Sequence, residues 1–181
     1  SQLDIITNQL GDAVSVITEP ERRDTFPAIA LAASYLKLAK DCSDDEVVVI
    51  MPCDPYTEND FFHSIGNMVK AVEQNKADLV LMGIKPTYPA SKYGYIVPEE
   101  GNNDAVRMVS CFVEKPDRAR AEELLARGAM WNSGVFAFRL GYVRSIVSKY
   151  ITASSYEEVV AQYGAFPKIS FDYEVVEKAL S

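Results

Sequence analysis

The sequence predicts an α/β domain in which a mixed, mainly parallel sheet is flanked by helices. Apolar runs rich in β-branched residues alternate with segments whose apolar residues recur at helical spacing, the rhythm of successive βαβ units. The run Val47–Met51 is apolar throughout and ends at Pro52, as expected of a strand buried on both faces of a parallel sheet. No linker-like stretch, repeat or low-complexity tract divides the 181 residues, so we expect one domain over residues 1–181.

The first half of the chain carries the clearest alternation. The predicted strands are Val14–Thr18, Val47–Met51 and Leu79–Ile84, and the predicted helices cover residues 24–40 and 61–72. Asp24 or Thr25 can cap the first helix, and Pro27 suits its first turn. Right-handed crossovers between the strands follow from this order.

After Pro86 the pattern changes to shorter elements. The predicted strands are Tyr93–Pro98 and Ala105–Glu114, joined by a turn over Glu99–Asp104, and Ser133–Phe138. The predicted helices are Asp117–Arg127, Gly141–Tyr150, Ser154–Tyr163 and Asp172–Leu180. Asp117 is placed as an N-cap and Gly128 as a C-terminal stop for the first of these helices.

Composition excludes several classes of partner and site. The net charge of -8 argues against a nucleic-acid polymer or an anionic membrane surface, since either would favour a basic patch. Cys42, Cys53 and Cys111 lack metal-ligand or redox spacing, so we expect reduced thiols in a cytoplasmic protein. The single histidine, His63, cannot build a His-rich zinc site.

Two strand ends carry charged residues that could form a site. Asp54 follows a buried strand, where open α/β sheets bind ligands, and a carboxylate there suits Mg²⁺. The alternative is an ordinary turn aspartate before Pro55. Glu114 and Lys115 leave a strand before Pro116, and a carboxylate beside an ammonium suits the hydroxyls and phosphate of a sugar phosphate. The alternative for this pair is two solvated charges.

Three further segments are weaker candidates. Asn132 can donate to and accept from sugar hydroxyls, and Gly134 permits close backbone approach. The segment 19–28 joins a strand end to a helix N-terminus, which favours an anion or a base edge, although a capped helix start explains it equally well. Asp172 begins a helix, where an N-cap carboxylate is the ordinary interpretation.

In order and combination these segments resemble the mannose-1-phosphate guanylyltransferase family of sugar-1-phosphate nucleotidylyltransferases. The matching runs, over about residues 14–181, are EPERRDTFPAIALAA, VVVIMPCD, GIKPTYPASKYGYI, FVEKPD, WNSGVFAF and SFDYEVVEK. The resemblance implies a Rossmann-like nucleotidylyltransferase fold and Mg²⁺-dependent transfer of GMP from GTP to mannose 1-phosphate, giving GDP-mannose and pyrophosphate. A glucose-1-phosphate uridylyl- or thymidylyltransferase, or a non-catalytic sugar-phosphate-binding subunit, remains the alternative.

The resemblance also implies roles for the matching residues. Those implied to be catalytic are Asp54, Lys115 and Asp172, with Asp54 and Asp172 as metal ligands. Those implied to bind the sugar phosphate are Gly94, Tyr95, Glu114, Asn132 and Gly134, and a nucleotide-side motif comprises Arg23, Thr25 and Pro27. Since one Mg²⁺ would need both aspartates, we expect Asp54 and Asp172 to converge although 118 positions separate them.

The chain departs from the family pattern in three ways. Cys53 and Pro55 stand where the family usually has Ala and His, and Asp24 stands in place of Asn, which bears on base selectivity. The family's opening Gly-rich phosphate loop does not occur in the 181 residues. We therefore expect an N-terminally truncated fragment that is inactive alone, and whose unpaired strand edges favour a homo-oligomer.

Overall fold

The computed structural model describes residues 2–101 and 104–179. The helices are α1 (Gln2–Leu10), α2 (Thr25–Leu38), α3 (Asn59–Glu73), α4 (Arg118–Ala126), α5 (Leu140–Val147), α6 (Tyr156–Ala161) and α7, a π-helical turn (Asp172–Val176) continued by Glu177–Ala179. The strands are β1 (Val47–Ile50), β2 (Leu79–Ile84), β3 (Tyr95–Pro98), β4 (Val109–Val113) and β5 (Met130–Arg139). Within the described ranges, no helix combines the length and apolar character that a membrane crossing requires.

A five-stranded sheet is built around β5. The strands β1 and β2 lie on opposite edges of its C-terminal half, where Val48 and Leu79 both face Phe138. Because β2 follows the same edge down to Trp131, β3 must lie on the β1 edge, where Tyr95 faces Trp131. The outer strand β4 pairs with β3. The strands β1 and β3 therefore pair with the same edge of β5, β1 with its C-terminal half and β3 with its N-terminal end.

The predicted sheet with flanking helices is found, but the expectation that its strands pair mainly in parallel is wrong. Every ladder among the described residues is antiparallel. The strands β1 and β2 do run in the same direction, as the βαβ rhythm requires, yet β5 lies between them and runs the opposite way. Apolar periodicity reports burial and not the pairing partner, so a strand inserted from about 50 positions further along the chain leaves no local signal.

The predicted first strand, Val14–Thr18, is also wrong. This segment is irregular, and Val14 and Val16 are 46% and 39% exposed. A β-branched run forms a strand only where a neighbour supplies hydrogen bonds, and no described strand pairs with it. The other predicted elements occur with small shifts in their bounds. Residues 102 and 103 of the predicted Glu99–Asp104 turn, and Leu180 of the last helix, lie outside the described residues.

Side chains of β5 divide the core between the two faces of the sheet. Phe136 and Phe138 face the helices α2, α5 and α7, whereas Val135 and Ala137 face α3. The buried Phe171 ring packs on Phe136 and Phe138, with ring centroids 4.9 and 5.8 Å apart. This packing places the start of α7 over β5.

Candidate functional site

A row of three residues crosses the strands β4, β3 and β5. The registers on both sides of β3, extended by one residue, place Gly94 opposite Glu114 and opposite Asn132. The Asn132 N–H donates to the Gly94 carbonyl at 2.8 Å, which confirms the second pairing. Residues opposite each other in a ladder share a face of the sheet. Glu114 and Asn132 therefore flank a position that has no side chain.

Gly94 provides room for the Glu114 carboxylate. A Cβ added to Gly94 would lie 2.5 Å from Glu114 Oε2, 2.8 Å from Phe112 Cζ and 3.3 Å from Asn132 Cβ. Real Cβ atoms do not approach heavy atoms at the first two distances, so any side chain here would displace its neighbours. Sequence reasoning did not single out Phe112, although it lies inside the quoted FVEKPD motif.

The adjacent charges Glu114 and Lys115 form an ion pair. Lys115 Nζ lies 2.8 Å from Glu114 Oε1, with 5% of the Glu114 side chain and 52% of the Lys115 side chain exposed. Lys115 has a φ of 47°, an uncommon value for a residue other than glycine, and this turn at the end of β4 brings two consecutive side chains together. The hydrogen bond that Lys115 donates to Glu114, together with the charge of that carboxylate, raises the pKa of Lys115.

The second carboxylate oxygen of Glu114 is buried and has no partner among the described residues. A buried charged oxygen without a hydrogen bond costs free energy, and such an exception in a folded protein calls for an explanation. A hydroxyl group is the kind of donor that would satisfy it. Beside it stands the solvent-facing ammonium of Lys115, which suits an anion.

Asp172 is bound to the same row. Asn132 Nδ2 donates to Asp172 Oδ1 at 2.6 Å, and the other end of the Asn132 amide accepts from the Gly134 N–H at 3.2 Å. Gly134 has a φ of 75°, a conformation that glycine adopts readily. Burial raises the pKa of Asp172 and the Glu114 charge raises it further, while Asn132 and Lys115 act in the opposite direction. We call Gly94, Glu114, Lys115, Asn132 and Asp172 the sheet cluster.

The variant Asp172→Asn is expected to melt at a higher temperature than the wild type at pH 7. Because the folded state raises the pKa of Asp172, the stability that its protonated form contributes is present at low pH and is lost as the pH rises through that raised pKa. Asparagine still offers an oxygen to Asn132 but carries no charge. Scanning calorimetry between about pH 4 and pH 8 should show the two proteins converging at acid pH. A less stable variant at pH 7 would show that the charge is net stabilising.

Asp54 lies in an exposed segment after β1. The β1 ladder on β5 ends at Ile50 opposite Phe136, and β3 takes up the same edge at Asn132. The chain after β1 therefore leaves the sheet near the part of β5 whose Asn132 contacts Asp172. No described residue makes a hydrogen bond or ion pair with Asp54, and the convergence of Asp54 with Asp172 stays a prediction.

The donor set fits a magnesium ion only if substrate supplies further ligands. No group of three or more His, Cys, Asp or Glu residues in 2–101 and 104–179 could hold a metal ion. Mg²⁺ commonly takes one or two protein carboxylates and completes its shell with water and phosphate oxygens. Asp54 and Asp172 were assigned to this ion from the sequence, and their joint coordination of it stays a prediction.

Tyr95, which the sequence analysis assigned to the sugar site, is a core residue next to Gly94. The Tyr95 side chain is fully buried, and its hydroxyl donates to the Ala90 carbonyl at 2.9 Å. It fixes the segment that carries Gly94 and does not present its hydroxyl to solvent. Sequence reasoning missed Tyr173, which lies close enough to Lys115 to influence the pKa of that lysine, because nothing in its local pattern separates it from a surface tyrosine.

The predicted nucleotide-side residues lie at the start of α2, where they bind a distant part of the chain. Arg23 Nη1 donates to the Phe166 carbonyl at 2.8 Å, and Thr25 Oγ1 accepts from the Phe171 N–H at 2.9 Å. Pro27 is buried in the first turn of the helix. A shallow pocket in front of this turn is lined by Glu19, Arg22, Arg23, Asp24, Thr25, Ala28 and Lys168.

Comparison with known proteins gives consistent matches. Residues 4–164 match the protein-family model described as Nucleotidyl transferase. The chain is 33% identical over 186 residues to the alginate biosynthesis protein AlgA of Pseudomonas aeruginosa, covering 91% of this chain and 37% of that protein. It is 38% identical over 143 residues to a mannose-1-phosphate guanylyltransferase of Klebsiella pneumoniae, covering 75% of this chain and 29% of that protein. The chain thus spans well under half the length of these curated relatives.

A solved structure supports the same grouping. A protein of Thermus thermophilus, described as a mannose-1-phosphate geranyltransferase, superimposes with a TM-score of 0.77 at 31% identity. The match covers 97% of this chain and 53% of that chain. The similarity in fold therefore extends over nearly all of the described sheet and helices.

Proposed function

Because the chain belongs to the nucleotidyl transferase family, we propose that it takes part in transfer of a nucleotide to a sugar 1-phosphate. We propose GTP as the donor and mannose 1-phosphate as the acceptor, with GDP-mannose and pyrophosphate as the products. The names of relatives such as the Klebsiella pneumoniae protein support this choice. The observation that carries the proposal is the buried, unpartnered Glu114 oxygen next to the solvent-facing Lys115 ammonium.

Each polar group of the sheet cluster has a task in this proposal. Glu114 Oε2 accepts a hydrogen bond from a sugar hydroxyl. Asn132 lies on the other side of Gly94 and contacts the same sugar ring. Lys115 holds the phosphate of mannose 1-phosphate, and its raised pKa keeps it cationic at neutral pH. The sugar phosphate is thereby oriented before reaction, which lowers the entropic part of the barrier.

The proposed chemistry needs no covalent intermediate. A phosphate oxygen of mannose 1-phosphate attacks the α-phosphorus of GTP in line, the bond to the β-phosphate oxygen breaks, and pyrophosphate leaves. Asp54 and Asp172 would hold Mg²⁺, which when bound supplies positive charge to the phosphates. Arg22 and Lys168 line the pocket at the start of α2 beside Glu19 and Asp24, and their cations would meet a nucleotide phosphate there. Arg23 is held by Glu21 and Phe166.

The 181 residues alone are expected to bind mannose 1-phosphate weakly and to form no measurable GDP-mannose. No Gly-rich run in this sequence offers the consecutive backbone N–H groups that cradle a triphosphate. Calorimetric titration with mannose 1-phosphate and glucose 1-phosphate measures the binding. We expect mannose 1-phosphate to bind more tightly than glucose 1-phosphate. Product assay with Mg²⁺ and a panel of GTP, UTP and dTTP measures nucleotide transfer.

A matched pair of lysine variants tests whether binding occurs at the sheet cluster. Lys115→Met should weaken mannose 1-phosphate binding by about tenfold or more, because a charge-assisted contact is lost. Lys149→Met, which removes an exposed charge after α5, should leave the affinity unchanged. Equal effects of the two variants would remove the support for this site.

Robust GDP-mannose synthesis by the isolated chain would contradict the expected inactivity.

Location and assembly belong to the same proposal. We propose a cytoplasmic location, in which Cys42, Cys53 and Cys111 would stay reduced thiols. The β1 edge away from β5 has no partner strand in residues 2–101 and 104–179, which favours association through this edge. Sedimentation velocity at several concentrations would test for a homo-oligomer.

A further inference from the structure

The start of α2 is joined to residues 166–171 across more than 140 positions of sequence. The hydrogen bonds, which we call the α2 seam, are Arg23 Nη1 to the Phe166 carbonyl (2.8 Å), the Phe26 N–H to the Ile169 carbonyl (3.2 Å) and the Phe171 N–H to Thr25 Oγ1 (2.9 Å). Arg23 Nε also binds Glu21 Oε1 at 2.7 Å, and 17% of the Arg23 side chain is exposed. The guanidinium is thus held at two of its nitrogens.

The last hydrogen bond of the α2 seam, from the Phe171 N–H to Thr25 Oγ1, lies one residue before Asp172. The Phe171 ring is fully buried against Phe136 of β5. The backbone N–H of Phe171 donates to Thr25 Oγ1 of α2. The backbone is therefore fixed at the position from which Asp172 extends. From this position the Asp172 carboxylate accepts a hydrogen bond from Asn132 Nδ2 at 2.6 Å.

The helix that begins at this point is irregular. Asp172–Val176 forms a π-helical turn, a wide turn that is rare in proteins and often occurs at functional sites. Phe171 supplies no side-chain cap to this turn, and its start is held by Ser170, whose Oγ accepts from the Tyr173 N–H at 3.3 Å. The α2 seam adds a contact from a distant part of the chain to the residue that precedes Asp172.

We infer that Thr25 and Arg23 are positioning residues, which fix residues 166–171 and so hold the Asp172 carboxylate against Asn132. The catalytic consequence of this inference rests on the proposed function, whereas the geometry does not. The motif EPERRDTFPA then acts on the sheet cluster through the backbone of Phe171, and the side chain of Thr25 does not have to touch the nucleotide.

The variant Thr25→Val tests the seam because it keeps the shape of the side chain and removes the acceptor of the Phe171 N–H. The 2.6 Å bond to a carboxylate should place one Asn132 side-chain amide proton far downfield in the wild type. In Thr25→Val this signal should move toward that of a solvated amide, and the Kd for mannose 1-phosphate should rise by about tenfold or more.

Two variants separate positioning from a general loss of stability. Thr25→Ser keeps the acceptor oxygen and should restore both the Asn132 signal and the affinity. Ser155→Ala removes a comparable acceptor, which binds the Glu158 N–H at the start of α6 at 3.3 Å, and should change neither quantity. An unmoved Asn132 signal in folded Thr25→Val, or an equal shift in Ser155→Ala, would overturn the inference.

Hydrogen exchange of the wild type keeps the inference testable if Thr25→Val does not fold. The Phe171 amide should exchange slowly, as the Glu174 amide that donates to Ser170 should. Exchange of the Phe171 amide at the rate of an exposed loop would overturn the seam. A wild type that shows the Asn132 signal but does not bind mannose 1-phosphate would contradict the proposed function and leave the positioning inference standing.

Discussion

Gly94→Ala should abolish measurable binding of mannose 1-phosphate and lower the free energy of unfolding by about 1–3 kcal/mol. The added Cβ would lie 2.5 Å from Glu114 Oε2 and 2.8 Å from Phe112 Cζ. Gly94 does not have a positive φ, so the cost arises from space and not from backbone strain. The buried Phe112 ring has little room to move, and the Glu114 carboxylate must therefore give way.

Displacing that carboxylate should disturb the whole sheet cluster. Glu114 would leave Lys115, its partner at 2.8 Å, and would vacate the place from which Oε2 faces Gly94. Because the same Cβ would press on Asn132 at 3.3 Å, the contact of Asn132 with Asp172 should loosen as well. Both proposed sugar contacts are lost through one methyl group.

The chain offers a matched control in Gly66→Ala. Gly66 lies within α3, and apart from its chain neighbours and the adjacent backbone of α3, a Cβ there would meet no described atom within 4 Å. Alanine favours helix over glycine by about 1 kcal/mol, so this variant should be slightly more stable and should bind normally. Urea unfolding and calorimetric titration measure both quantities. Normal binding by a folded Gly94→Ala protein would show that the sugar does not occupy this part of the sheet.

Local signals in the sequence were sufficient to locate several elements, although not to identify what those elements pair with. The strand Leu79–Ile84 and the α2 helix with Asp24 as its cap are found as predicted, because apolar spacing and a capping carboxylate act within a few residues. Val14–Thr18 carries the same apolar signal as a strand, but a strand also needs a pairing partner. The antiparallel insertion of β5 between β1 and β2 is a long-range property that no local pattern encodes.

The candidate site shows the same division. Glu114, Lys115, Asn132 and Asp172 were singled out from short motifs, and the structure brings these residues together. Their contacts could not be deduced, because they depend on the positive φ of Lys115 and on the register of β3 with its neighbours. Nor could the sequence show that Thr25 binds Phe171, since a helix start looks the same whether its side chains face a ligand or another segment.

Glu114→Gln should weaken mannose 1-phosphate binding by about tenfold to a hundredfold and leave the binding of inorganic phosphate unchanged or stronger. The variant replaces an acceptor-only carboxylate by an amide with one acceptor oxygen, which the Lys115 ammonium attracts. The buried position then carries an NH2 donor, so it no longer accepts a hydrogen bond from the sugar hydroxyl. Lys115 keeps its charge while its partner becomes neutral, which leaves it more available to phosphate. Lys115→Met should instead weaken the binding of both mannose 1-phosphate and inorganic phosphate. The two variants thus assign the sugar ring and the phosphate to different side chains.

The ion pair of Arg118 and Glu122 provides the control for this last prediction. Its atoms lie 3.1 Å apart, but the two side chains are 82% and 56% exposed, and such surface pairs contribute about 0–1 kcal/mol. Glu122→Gln should therefore change neither affinity, although it removes the same carboxylate chemistry from the chain. Calorimetric titrations with mannose 1-phosphate and with inorganic phosphate compare the variants directly. If Glu114→Gln weakens both ligands to the same extent, Glu114 acts only through Lys115, and a direct contact between its buried oxygen and the sugar is contradicted.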